Sequence, residues 1–209
     1  MILAPSQQLC QVQSMGWTCH FWVGLAAGLL SFLAYVPYII ATLKGKNQPN
    51  QATWTIWFMV SLILLTSYKT LGATHAIWLS MANTVGMGAI VILSFKYGNS
   101  GLTKLDLGCC LSALVGIFFW AYFDSPIAAL SISLAIDAVG AIPTLRKAYT
   151  HPESEDHKTW LIFLLANTLN LFALEEWRPA LSLYPLYLFL ISGAMALMLT
   201  MKKSFSDLV

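Results

Sequence analysis

Asp137 stands inside an apolar run, 127–149, six residues before Pro143. An ionisable side chain at such depth is costly to keep in hydrocarbon and marks a functional site by default. Two chemistries suit it: exchange of a proton during a cycle, or pairing with a cationic group on a solute. Asn167 and Asn170, three apart in another apolar run, share one helix face. That face must turn inward, because an amide facing lipid leaves its donors unsatisfied. Asn83 precedes Gly86 and Gly88 in a third run, where small residues let helices approach closely. Trp57 and Phe163 offer faces on which a sugar ring or an apolar side chain stacks. Together these residues are suited to holding a small polar solute.

Constellations for bond-making chemistry are missing from the sequence. It has no paired membrane aspartates, no His-Glu-x-x-His and no Ser/His dyad on an apolar run, so an enzyme is not expected. A retinal-type cofactor needs a lysine deep in the last helix, whereas Lys202 and Lys203 lie at its end. No cofactor is expected. Cys109 and Cys110 are adjacent inside a run, and Cys10 and Cys19 precede the first; neither pair has the company of metal ligands. Cys10 and Cys19 are either a disulfide or two free thiols.

The spacing of other residues shows how these groups are to be positioned. Pro37 and Pro143 are 106 residues apart, and Thr53-Trp54 and Thr159-Trp160 are 106 apart as well. Each copy reads as an apolar helix with a proline near its end, a polar loop and a second apolar helix. A fixed offset of this kind is the signature of an internal structural repeat. At the same offset Asp137 matches Ser31. Ser31, Tyr35, Tyr38 and Thr42 fall on one helical stripe, as do Asp137, Ala141, Thr144 and Ala148. Trp54, Trp57, Ser61, Leu64 and Tyr68 form a further stripe, matched by Trp160, Phe163, Asn167, Asn170 and Leu174. The stripes would line a cavity between the two halves. A proline inside a helix kinks it, so Pro37 and Pro143 are candidate hinges.

Composition defines the surroundings. The 209 residues are 58% hydrophobic and only 10% charged, which fits a bilayer rather than a water-soluble core. A net charge of +2 is too small to indicate nucleic acid. Seven runs near 21–42, 53–71, 73–95, 105–123, 127–149, 159–174 and 180–201 approach the ~20 residues that a helical span requires. Nine of the eleven basic residues then fall in alternate loops on one side, Lys69 and Arg178 being the other two. The positive-inside rule places those loops in the cytoplasm. The expectation is an all-α membrane protein of seven transmembrane helices, N-terminus outside and C-terminus cytoplasmic. Two parallel three-helix repeats are joined by a linker helix (3+1+3).

The expected divisions are an exposed segment 1–20, a first repeat 21–95, a linker and fourth helix 96–125, a second repeat 126–203 and a tail 204–209. Trp22, Trp54, Trp78, Trp120, Trp160 and Trp177 fall near run ends as interfacial anchors. His75 is expected at the interface too. Lys69 is expected to snorkel there, within reach of Glu175 or Glu176. The acidic loop with Glu153, Glu155, Asp156 and His157 reads as a solvated face.

With its 3+1+3 layout and matched prolines, the chain resembles the PQ-loop and SWEET superfamily over 21–201. The dipeptides are Pro37-Tyr38 and Pro143-Thr144, and Pro143-Thr144-Leu145-Arg146-Lys147 is closer to the SWEET pattern. Asn83 matches the third-helix asparagine of sugar carriers, while the seventh helix carries Ser182 and Ser192 in place of a second one. The resemblance implies a transporter for an amino acid, sugar or similar metabolite, working by alternating access about Pro37 and Pro143. Tyr38, Trp57, Asn83, Asp137, Asn167 and Asn170 would bind the solute, and Asp137 would couple protons. The alternative it implies is a cargo-binding receptor of the KDEL-receptor type. The expected partners are a small polar solute and the lipid bilayer of a plasma, inner or organelle membrane, with assembly into a homo-oligomer open to such a chain.

Overall fold

The computed structural model describes residues 19–98, 103–122 and 125–206. They form seven α-helices: α1 Cys19–Leu43, α2 Gln51–Thr70, α3 Ile77–Tyr97, α4 Lys104–Tyr122, α5 Pro126–Thr150, α6 His157–Phe172 and α7 Pro179–Ser206. A short 3-10 turn, Pro152–Ser154, separates α5 from α6. Most of the expected segment 1–20 and the end of the tail lie outside the described residues, as does Cys10. Cys19 is disulfide-bonded. Cys109 and Cys110 are free.

Among the described residues, four helices are long and apolar enough to cross a membrane: Cys19–Leu43, Ile77–Tyr97, Ile127–Thr150 and Pro179–Met201. They mark the chain as a membrane protein, and they correct the seven-span reading. α6 has 16 residues, about 24 Å at the helical rise, short of the ~30 Å hydrocarbon core. α2 carries Thr53, Trp54, Trp57, Ser61, Ser67 and Tyr68 on its buried side. Their hydroxyl and indole groups lower its hydropathy, and neighbouring helices cover them. α4 opens on Lys104 and Asp106. The placement of the N-terminus outside and the C-terminus in the cytoplasm, and the 3+1+3 transmembrane layout, counted seven crossings and lose that basis.

Helix starts have a local cause. Asn50 Oδ1 accepts from the Thr53 N–H at 2.8 Å, and Asp156 Oδ2 accepts from the Thr159 N–H at 2.9 Å. These N-caps satisfy donors that the first turn leaves open. Asn50 also donates to the buried Asp106 carboxylate at 3.0 Å, tying the start of α2 to α4. Asn50→Ala and Asp156→Ala are each expected to cost about 1 kcal/mol, measured as a lowered denaturation midpoint.

α1 packs on α3 and α6, and α2 on α3 and α5. α6 and α5 both pack on α7, and α4 lies against α5. α1 lies close against the start of α3 and the residues just before it. A Cβ on Gly24 would sit 2.2 Å from the His75 carbonyl oxygen, and one on Gly28 would sit 2.9 Å from the Trp78 backbone. A backbone cannot yield as a flexible side chain does. Gly24→Ala is therefore expected to push the helices apart and lower stability by about 1–3 kcal/mol in thermal denaturation.

The expected stripes are buried throughout. Ser31, Tyr35, Tyr38 and Thr42 on α1 face inward, as do Asp137, Ala141, Thr144 and Ala148 on α5. So do the Trp54-to-Tyr68 and Trp160-to-Leu174 stripes of α2 and α6. Pro37 and Pro143 lie inside continuous helices. Two of the expected anchors are corrected: Trp54 and Trp160 are 1% and 4% exposed and belong to the core, whereas Trp22 and Trp177 are exposed.

Candidate functional site

The inward stripes of α1, α2 and α3 and those of α5, α6 and α7 meet around one cavity. Tyr35, Trp54, Trp57, Asn83 and Met87 line it from the first three helices. Asp137, Trp160, Phe163 and Asn167 line it from α5 and α6, and Leu188, Ile191 and Ser192 from α7. About 40 Å³ is accessible to the centre of a water molecule. That holds a few waters at most.

Asp137 is 6% exposed, and its Oδ2 accepts a hydrogen bond from the Tyr187 hydroxyl on α7. The indole N–H of Trp57 donates to the Asp137 backbone carbonyl at 3.1 Å. This bond ties α2 to α5 beside the carboxylate. Across the cavity Asn83 Oδ1 accepts from Ser31 Oγ at 2.6 Å and from the Tyr35 hydroxyl at 3.3 Å. Asn167 Nδ2 donates to the Leu188 carbonyl and to Ser192 Oγ, both at 3.1 Å. Each α1–α3 and α6–α7 contact thus fixes an amide at the cavity wall.

Of the six expected solute-binding residues, Trp57, Asn83, Asp137 and Asn167 share this cavity. Tyr38 and Asn170 are fully buried but are not among its lining residues. The Tyr38 hydroxyl instead donates to Glu155 Oε2 at 3.3 Å, as does the Trp160 indole N–H at 3.3 Å. Glu155 Oε1 lies 2.5 Å from Lys147 Nζ, and Lys147 also donates to the Gln48 carbonyl. The Gln48 N–H reaches the Ser154 carbonyl at 3.2 Å. This knot closes the end of the bundle where α1 and α5 finish and α2 and α6 begin. It corrects the reading of that loop as a solvated face for Glu155, which is 6% exposed, while Glu153 is exposed.

At the opposite end His75 Nε2 lies 2.6 Å from Glu175 Oε1, and Thr74 Oγ1 donates to Glu175 Oε2 at 3.3 Å. Glu176 pairs with Arg178 at 3.3 Å. His75 is thus part of a contact between the α2–α3 and α6–α7 connections, and the two glutamates expected within reach of Lys69 take other partners. No motif marked Glu155 or His75. The signal for Tyr35, Trp54 and Trp160 was present in the stripes, but proximity to run ends assigned the tryptophans to the interface.

Among the described residues no three His, Cys, Asp or Glu side chains stand together as a metal site. Among the cavity-lining residues the one charged group is Asp137. Fold and site define a helical membrane protein with a small, aromatic-walled, mostly apolar cavity that carries one acidic side chain. Comparison of the chain with family models, curated proteins and solved structures found no match.

Proposed function

We propose that this chain is a transporter that moves a small polar solute by alternating access between α1–α3 and α5–α7. The observation that carries the reading is one cavity that both helix groups line, with polar contacts between the groups at each end of the bundle. Its walls are paired: Trp54 with Trp160, and Trp57 with Phe163, stand 106 residues apart. The packing is paired too. Exchanging α1, α2 and α3 for α5, α6 and α7 maps the α1–α3, α2–α3 and α1–α6 contacts onto α5–α7, α6–α7 and α5–α2. The N-caps Asn50 and Asp156 keep the same offset. These pairings support an internal repeat and, with the matched prolines, the resemblance to PQ-loop and SWEET proteins.

In this reading Pro37 and Pro143 are hinges. Each removes one backbone hydrogen bond from a helix that runs from the cavity to the Glu155 end. Opening that end requires breaking the Glu155–Lys147 knot, and opening the other requires breaking His75–Glu175. The test is flux. Purified protein in vesicles is expected to move one class of labelled amino acid, sugar or related metabolite saturably, and Pro37→Ala or Pro143→Ala is expected to slow movement more than binding. Saturable binding with no movement by any member of the panel would replace the transporter with a receptor.

A further inference from the structure

Five aromatic side chains of the cavity touch one another in a closed circuit. Tyr35 meets Trp54, Trp54 meets Trp57, Trp57 meets Trp160, Trp160 meets Phe163, and Phe163 returns to Tyr35. Ring centroids along the circuit are 4.9 to 6.3 Å apart, and every contact is edge-to-face. Such a cluster surrounds the cavity with aromatic rings, whose quadrupole favours a cation placed over a face.

The carboxylate of Asp137 lies on the same cavity, and no lysine, arginine or histidine lines it. Tyr187 donates a hydrogen bond to that carboxylate, but a neutral hydroxyl brings no countercharge. A buried carboxylate without a countercharge is costly. The amides are engaged on one side each: both Asn167 amide hydrogens have protein acceptors and Asn83 Oδ1 has two donors, while the Trp54 indole N–H is buried without a hydrogen-bond partner. A polyol would find few of the free donors and acceptors that its hydroxyls need. A compact cation would find a carboxylate and a wall of aromatic faces.

We propose that the cavity takes a small alkylammonium cation, held by Asp137 and the cage of Tyr35, Trp54, Trp57, Trp160 and Phe163. This names the solute class for the transport reading above and rests on it for the statement that the cation is moved, not for the statement that it binds. The small volume limits the occupant to a compact group around the charge.

The experiment titrates the purified full-length chain with choline, tetramethylammonium and 3,3-dimethylbutan-1-ol, the neutral carbon isostere of choline. Intrinsic tryptophan emission and calorimetry read binding. Both cations are expected to bind saturably and to change the emission, with the isostere at least tenfold weaker. Asp137→Asn is expected to weaken choline at least tenfold, while Asp137→Glu, which keeps the charge, retains most of the affinity. The isostere comparison uses the wild-type chain, so it stands even if a variant fails to fold. Equal binding of choline and the isostere, unchanged affinity in Asp137→Asn, or no cation binding at all overturns the proposal. Vesicle flux separates the two readings. Choline bound but not moved keeps the cation site and removes the transporter. A neutral solute moved with no competition from choline keeps the transporter and removes the cation site.

Discussion

Asp137→Asn is expected to abolish solute accumulation driven by a pH gradient, bringing it to the level of protein-free vesicles. Asparagine keeps the size of the side chain and an oxygen for the Tyr187 hydroxyl, so packing at this site is largely retained. What it loses is the ability to take up and release a proton. The buried aspartate can be neutral with a proton or ionised beside a cation, and each passage between those states is a chance to couple one to the other. For an ammonium solute the two compete for the same carboxylate, which makes proton movement one way and solute movement the other natural halves of a cycle. Tyr187→Phe removes the donor but not the acid, so it is expected to reduce accumulation without abolishing it. The measurement is uptake of labelled solute into vesicles with an imposed gradient. Undiminished accumulation in Asp137→Asn would remove this residue from coupling.

Much of the site was legible because helical periodicity is a local property. The stripes through Ser31, Asp137, Trp57 and Asn167 follow from spacing alone, and a buried amide or acid has to face other protein. The extent of the membrane was less legible. An apolar run shows that a helix is covered by something nonpolar, and it does not separate lipid from neighbouring helices. α2 is polar on the face that α5 and α3 cover, and α6 is short, so a count of runs exceeded the count of span candidates. The same confusion sent Trp54 and Trp160 to the interface, since a tryptophan near a run end suits either place. Glu155 was illegible for a different reason. It sits among acidic and polar neighbours, and only the packing of α6 on α1 and of α5 on α2 brings Tyr38, Lys147 and Trp160 around it.

Glu155→Gln is expected to destabilise the protein by about 3–5 kcal/mol, the usual cost of leaving one charge of a buried pair alone. The Glu155 side chain is fully buried, whereas that of Lys147 is 13% exposed and lines a polar pocket, so the orphaned ammonium keeps some water and the lower end of that range is expected. For a chain of this size that corresponds to a fall in Tm on the order of 10 °C. Lys147→Met strands the carboxylate instead, though Tyr38 and Trp160 still donate to it, and is expected to cost somewhat less. Combining the two should cost less than their sum, because neither charge is then unpaired; a double-mutant cycle reads that coupling. Additive losses would mean that the pair is not a unit. The functional consequence follows from position. The pair joins the end of α5 to the loop before α6, and its Tyr38 and Gln48 bonds reach across to the first helix group. Weakening it should favour opening at this end. In Glu155→Gln a cysteine placed at the buried Thr144 should therefore react with a soluble thiol reagent faster than in the parent, and an unchanged rate would confine the pair to stability alone.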